Sequence, residues 1–334
     1  MSAAAKSNLD NGDFGHFLQS HTWEAYEQLE GEKTFWLEDD GWHALVLLKS
    51  TPLGNYLYLP YGPALQDASR LTPALSQLRE LASKHGAIFI RIEPTLPCYN
   101  KGEKCDNTNA NRSYFTTDEL KKLGLKKSHD IDPANTWVID LPDAAEKVLD
   151  KMEKDRVRRW RNLSKKGIKI RTSKDPEEIM ILSDLLKKLS SERQFNPQDE
   201  NHLKNQLKAG FATLYIAELK NKPVAASLVY DYGDTRFAVH AADDPTHHNL
   251  RAGVSLTIQK ILDAQAAGKK YYDFWGITTS SNPKHPWYGF TKYKKSYAGR
   301  QVDYAGTWDL PLNGTKYAIY QVLRKLNRIR RRAN

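Results

Sequence analysis

Cysteine is scarce in this chain, with 2 among 334 residues. Cys98 and Cys105 fall in a polar stretch between Pro97 and Arg112, with no histidine cluster beside them. A lone C-x6-C of this kind builds neither a disulfide framework nor a zinc site, so it reads as two ordinary thiols with a local disulfide left open. Long hydrophobic runs are missing too. Stretches such as Ala44-Leu45-Val46-Leu47-Leu48 fall far short of the roughly 18–20 residues that a membrane helix needs. The opening residues, Met1 to Asn8, lack the apolar core of a secretory signal. These absences predict a cytoplasmic protein with no integral membrane segment and no metal. No tandem array of short repeats is visible, which excludes a solenoid.

What is present is enough apolar residue, 40%, for genuine cores, and a length that suits about two domains. Basic residues outnumber acidic ones by 50 to 40, giving a formal charge of +10. The excess is clustered. Lys151 to Arg171 holds ten Lys/Arg against two acids, Lys284 to Arg300 five against none, and Lys316 to Asn334 seven against none. A single run of this sort is often a solvated helix face, but three in the C-terminal half favour a polyanionic partner. Contacts to phosphates would supply affinity without sequence choice.

Residue patterning gives an α/β (α+β) chain. Strands are predicted at 34–38, 43–48, 55–59 and 87–92, with a helix from Pro73 to His85 between the last two. The second half opens with a strand at 136–141. An amphipathic helix from Asp143 follows, with Ala145, Val148, Leu149, Met152, Val157, Trp160 and Leu163 on its apolar side, closed by Gly167. Asp175-Pro176-Glu177-Glu178 is a helix start, since it offers a capping carboxylate followed by proline at the first position. Strands at 168–171, 214–219, 224–232, 236–241 and 271–275, with a helix over 254–267, complete a sheet with helices against it. A last helix runs from Lys316 to Ile329. The expected division is 1–138 plus 308–334 against 139–307.

Several strings in order resemble the FemABX family of aminoacyl-tRNA-dependent peptidyltransferases. They are Leu57-Tyr58-Leu59-Pro60-Tyr61-Gly62-Pro63, Phe89-Ile90-Arg91-Ile92-Glu93-Pro94, Thr136-Trp137-Val138-Ile139-Asp140-Leu141, the basic helix through Arg156, Arg158, Arg159, Arg161 and Lys165-Lys166-Gly167, Tyr272-Asp273-Phe274-Trp275-Gly276-Ile277, and Gly289-Phe290-Thr291-Lys292-Tyr293-Lys294-Lys295-Ser296-Tyr297. The resemblance implies two tandem GNAT-like domains with mixed twisted sheets flanked by helices. It also implies transfer of an amino acid from aminoacyl-tRNA to the stem-peptide amine of a peptidoglycan precursor, either UDP-MurNAc-pentapeptide or lipid II. Some members carry a coiled-coil insertion for tRNA; the stretch from Ser190 to Gly210 is too short for one, so the chain resembles the compact form.

Chemistry of that kind needs no nucleophilic side chain, because the donor ester is already activated. It needs position, and a positive charge or donor beside the oxyanion. The family's Phe-Lys pair maps onto Tyr293-Lys294, so Lys294 is the expected catalytic cation, with Lys292 and Lys295 as neighbours that could replace it. Tyr293, Tyr297, His240 and Trp275 are the expected substrate contacts, and aromatics interleaved with lysine suit stacking on a base or sugar. Arg156, Arg158, Arg159, Arg161, Lys165 and Lys166 are the expected RNA contacts. No cofactor is implied, the protein is expected to be a monomer, and the basic tail from Arg328 to Arg332 allows a peripheral contact with an anionic membrane.

The chain departs from the family in two places. Glu24, Ala25, Tyr26 and Glu27 follow Trp23 where some relatives have a precursor-binding lysine. Phe195-Asn196-Pro197 to Asn201-His202 occupies the place of an Arg/Tyr pair, with Lys33 or Arg193 as conceivable substitutes. Three rival readings stay open. An acetyl-CoA-type GNAT enzyme would need a pyrophosphate loop, and Leu250-Arg251-Ala252-Gly253-Val254-Ser255 breaks that pattern at both ends. A non-catalytic RNA-binding protein lacks its usual signatures here. An aminoacyltransferase acting on polypeptide N-termini differs only in its acceptor.

Overall fold

The computed structural model describes residues 15–100, 113–193 and 196–333. Cys105 and Phe195, both singled out above, lie outside them. The described residues fall into two compact units: Asn135–Val302, and the flanking stretches 15–134 and 303–333.

In chain order the flanking unit begins with helix α1 (His21–Leu29) and strands β1 (Lys33–Asp39), β2 (Trp42–Thr51), β3 (Gly54–Leu59) and β4 (Ala64–Leu65). Helix α2 (Leu71–Lys84), β5 (Ala87–Ile92), the short β6 (Cys98–Tyr99) and β7 (Phe115–Thr116), α3 (Thr117–Lys122) and β8 (Lys126–Lys127) follow. The central unit holds β9 (Asn135–Asp140), α4 (Ala145–Asp150), α5 (Lys154–Arg161), β10 (Ile168–Ser173), α6 (Ile179–Arg193) and α7 (Glu200–Lys208). It continues through β11 (Ala212–Leu219), β12 (Lys222–Tyr232), β13 (Thr235–Asp243), α8 (Ala252–Ala266), β14 (Tyr271–Gly276), α9 (Tyr288–Lys295) and β15 (Arg300–Asp303). The chain then returns to the flanking unit as β16 (Trp308–Pro311) and α10 (Gly314–Ala333).

The flanking unit's sheet has the order β1-β2-β3-β5-β16-β8, with β4 on β2. Only β3 and β5 run parallel, and α2 makes the connection between them that a parallel pair requires. Leu71, Leu75 and Leu78 recur at helical spacing on α2 and bury against Val46, Leu57, Leu59, Ile90 and Ile92 of the sheet. Deep in this unit the Arg91 guanidinium meets the Asp309 carboxylate at 2.7 and 2.8 Å, with side-chain exposures of 2% and 0%.

In the central unit the order is β10-β11-β12-β13-β14-β9-β15. The parallel pair is β13–β14, connected through α8. The two mixed, helix-flanked sheets are the α/β architecture expected from the sequence.

One local expectation changes. The amphipathic helix from Asp143 is two helices, α4 and α5, with a break at 151–153. Val148, Leu149, Met152 and Val157 nonetheless share one core with Ile258 and Ile261 of α8. The five-residue step from Met152 to Val157 is off the 3.6-residue period, so a continuous helix would turn one of them away; the break lets both face inward. Lys294, in a stretch to which the sequence reading assigns no element, lies in the last turn of α9. No candidate metal-binding group of His, Cys, Asp or Glu occurs among the described residues, and no described helix is long and apolar enough to cross a membrane.

Candidate active site

The end of β14 is irregular. Its pairing with β9 slips between Asp273 and Gly276, and Trp275 takes a left-handed backbone with φ of 66°. A bulky residue at positive φ is strained and persists only where surroundings hold it. Here Asp273 holds it: its carboxylate accepts the backbone N–H of Trp275 at 2.7 Å and the hydroxyl of Thr136 from β9. Asp273 is 4% exposed, and burial pushes its pKa up to about 6.

The bulge aims the Gly276 carbonyl at α9, where the Lys294 ammonium donates to it at 2.5 Å. The loop beyond is tied to the same helix, because the Thr278 N–H donates to the Thr291 hydroxyl at 3.0 Å. Lys294 is partly buried. Desolvation lowers its pKa to about 8 while the nearby Asp273 carboxylate works the other way. At neutral pH it is therefore a cation that has lost much of its water, the condition in which a charge acts most strongly on a neighbouring oxyanion.

Behind Lys294 lies a tyrosine pair. Tyr297 donates to the Tyr293 hydroxyl at 2.8 Å, and Tyr293 meets the Thr257 hydroxyl of α8 at 3.1 Å. Burial raises the pKa of both phenols. The Arg156 guanidinium of α5 lies 5.1 Å from the Tyr293 ring centre and 4.5 Å from that of Tyr297, a cation–π clamp joining the basic helix to α9. Two of the expected contact residues are thus held in packing. Tyr297 is 0% exposed, so it is a core residue supporting the site and not a wall that substrate touches. Arg156 is likewise committed to packing, with a further bond to Glu153 at 3.3 Å.

The other expected RNA contacts sort by partner. Arg158 and Arg159 both bond Asp155 at 2.6 Å, so one carboxylate answers two cations. Arg161, Lys165 and Lys166 are exposed, the last two on the turn that precedes β10. An open groove of about 690 Å³ runs beside that turn and the edge strand β10, lined by Trp160, Arg161, Ser164, Thr172, Gln259 and Asp263 among others. The Trp160 indole N–H donates to Gln259 at 3.1 Å, and Gln259 donates to Asp263 at 2.7 Å. The groove thus offers an aromatic face beside a guanidinium.

Trp275 is partly exposed and meets Phe237 edge-on, ring centres 6.3 Å apart. His240 sits partly buried on β13, its pKa lowered to about 4 by desolvation, so its imidazole is neutral at physiological pH. Its carbonyl accepts the Ser227 hydroxyl at 2.8 Å, and that hydroxyl accepts the ammonium of Lys260 at 2.6 Å. Lys260 is 2% exposed, and burial brings its pKa down to about 7.

Sequence reasoning assigned no role to Asp273, Gly276, Thr257 or Lys260. For Asp273 the signal was available: a lone carboxylate among Tyr272, Phe274 and Trp275 in a strand has no apolar reason to be there. For Lys260 the clue was fainter, a lysine on the buried side of an otherwise apolar helix.

The described residues thus bring a partly desolvated ammonium against the strained end of a strand in an α/β sheet. A profile of the FemAB family matches residues 7–209 and 192–325. The aminoacyltransferase FemA of Staphylococcus epidermidis is 20% identical, over 96% of this chain and 99% of its own length. The FemA of Staphylococcus aureus is 24% identical, over 96% and 98%. Among solved structures, FemX superposes with a TM-score of 0.81 at 17% identity, covering 96% of this chain and 98% of that one. The C-terminal domain of a putative lysylphosphatidylglycerol synthetase from Agrobacterium fabrum follows at 0.58 and 9%, covering 96% of each chain. The chain belongs to the FemAB family, and it is an aminoacyltransferase. Its alignment with the first FemA spans 415 positions against 334 residues here, so that relative carries segments this chain lacks.

Proposed function

We propose that the protein moves an amino acid from aminoacyl-tRNA to the stem-peptide amine of a peptidoglycan precursor in the cytoplasm, with Lys294 steadying the oxyanion. The acceptor amine attacks the ester carbonyl and a C–N bond forms. The carbonyl oxygen becomes negative beside the Lys294 ammonium. Collapse breaks the ester C–O bond, and the departing ribose oxygen takes up the proton that the amine gives away. Binding energy spent on the RNA and the precursor would hold the two reacting groups in place.

The observation that carries this reading is the half-desolvated Lys294 fixed against Gly276 at the strained end of β14. The groove beside Trp160 and Arg161 supports the RNA half of the proposal, because a base can stack there while phosphates meet Arg161, Lys165 and Lys166. Trp275 and the neutral His240 are proposed precursor contacts.

The test mixes the full chain with charged total tRNA and either the nucleotide-linked or the lipid-linked precursor, then weighs the product. A gain of one aminoacyl residue, abolished by ribonuclease, is expected. Lys294→Met should fold yet lose transfer by about 100-fold or more, the scale seen when an oxyanion-stabilising group is removed. No mass gain with either precursor, or a gain that ribonuclease leaves intact, overturns the reading.

A further inference from the structure

Helix α10 has two apolar faces where a surface helix normally has one. One is used. Tyr317 is 6% exposed and packs edge-on to Phe89, ring centres 5.3 Å apart, while Tyr320 lies 4.8 Å from the same ring. Arg324, one turn further, reaches inward to the Ser128 hydroxyl at 3.0 Å. The other face consists of Ile319, Val322, Leu323 and Leu326, at spacings i, i+3, i+4 and i+7, and they are 45%, 59%, 43% and 49% exposed. Four aliphatic side chains in one stripe on the outside of a helix are not scattered surface apolars.

The charge around that stripe selects its occupant. Besides the inward Arg324, the sequence from Lys316 to Asn334 carries Lys316, Lys325, Arg328, Arg330, Arg331 and Arg332 and no acidic residue. A second copy of this helix would bring like charges together with nothing on either helix to answer them. An RNA would answer the charge but leave the aliphatic stripe wet. An anionic bilayer surface meets both demands, because acyl chains take the stripe and headgroups take the cations.

We propose that α10 is a membrane-surface helix that seats this unit on an anionic lipid bilayer, lying in the interface and not crossing it. At 20 residues it spans about 30 Å, long enough to lay the whole stripe on the surface. The seat does not depend on the role given to Lys294.

The test is sedimentation of the full chain with vesicles of phosphatidylcholine alone and of phosphatidylcholine mixed with phosphatidylglycerol. Binding to the mixed vesicles should exceed that to the neutral ones by about tenfold and fall as salt rises. Val322→Glu with Leu326→Glu should abolish it. Both side chains are exposed, so the fold should survive, which circular dichroism checks. Lys325→Gln should weaken it by about fivefold, near the loss of one interfacial cation. Equal binding to both vesicle types, no binding to either, or binding that survives V322E/L326E overturns the proposal. So does light scattering that finds a dimer which L326E converts to a monomer, since the stripe would then be a self-contact.

Discussion

The Asp243 carboxylate accepts the backbone N–H of Gly253 at 3.3 Å, in the first turn of α8. A Cβ at Gly253 would stand 2.0 Å from Asp243 Oδ1, so the carboxylate fills the space directly against the backbone. A helix N-terminus facing a ligand is an anion site, and an acetyl-CoA enzyme would use this one for pyrophosphate. Here the chain's own carboxylate occupies it. Acetyl-CoA should therefore show no binding by calorimetry at concentrations that saturate an ordinary GNAT enzyme. Heat of binding in the micromolar range would revive the acetyl-CoA reading.

Gly253→Ala tests the same packing from the other side. The methyl group must push the Asp243 side chain off the helix end, which breaks the 3.3 Å bond and buries a displaced charge. A loss of about 1–3 kcal/mol in urea unfolding is expected. An unchanged midpoint would mean that the carboxylate relaxes at no cost.

Lys294 should be visible in the pH profile. Its pKa is lowered to about 8, and only the protonated form can steady an oxyanion. Transfer under kcat/KM conditions should therefore decline above about pH 8 as the ammonium is lost, while the acceptor amine gains nucleophilicity over the same range. Lys294→Arg keeps the charge to far higher pH. In whatever activity that variant retains, the declining limb should disappear. A limb that stays in place in Lys294→Arg would belong to another group.

The sequence made most of this fold legible, for physical reasons that can be named. Strands β2, β5 and β11 announce themselves as apolar runs between turn residues, and α2 by Leu71, Leu75 and Leu78 on one side. Position 294 drew attention because the aromatic-lysine string around it resembles a known pattern. What escaped depends on contacts distant in sequence. Nothing near residue 276 reveals that its carbonyl receives Lys294, eighteen residues on. Nothing in the basic run distinguishes Arg156, stacked on two tyrosines, from the exposed Arg161. Charge counting finds a cluster, but only packing separates its members. The helix α9 escaped because its eight residues are mostly lysine and aromatic, with little apolar periodicity.

Lys260 predicts a stability that climbs with pH. Its pKa is about 7 in the folded protein against 10.5 for the free side chain, lowered first by burial and further by Arg236, while Asp243 opposes the shift. Between those values the unfolded chain holds a proton that the folded chain does not, so stability rises with pH across that window. The cost of the buried charge is felt in full below pH 7. The slope approaches about 1.4 kcal/mol per pH unit for one group, and integrates to about 4 kcal/mol. Lys260→Met fills similar volume without the charge. It should be more stable than the parent at pH 6 and should lose the difference by pH 10, as read in paired urea titrations at about those pH values. Parallel pH curves for parent and variant would mean that Lys260 reaches water.

Arg91 and Asp309 predict how α10 is anchored. Asp309 accepts from Arg91 twice, from the Tyr317 hydroxyl at 2.9 Å and from the Gln321 amide at 3.1 Å. One buried carboxylate therefore joins β5, β16 and the helix. Asp309→Ala leaves the buried guanidinium without its carboxylate, with the Tyr320 hydroxyl at 3.3 Å and rings of Phe89, Tyr56 and Tyr320 5.1–5.8 Å away as remaining partners. A loss of about 3–5 kcal/mol is expected, the usual cost of breaking a buried pair from one side. Hydrogen exchange should speed up across α10 and β16 while amides of Asn135–Val302 keep their protection, since neither residue belongs to that unit. The double change Arg91→Met with Asp309→Leu removes both charges together and should recover more than half of the loss. If the double variant is no better than Asp309→Ala, the lost stability comes from the Tyr317 and Gln321 bonds and not from the orphaned cation.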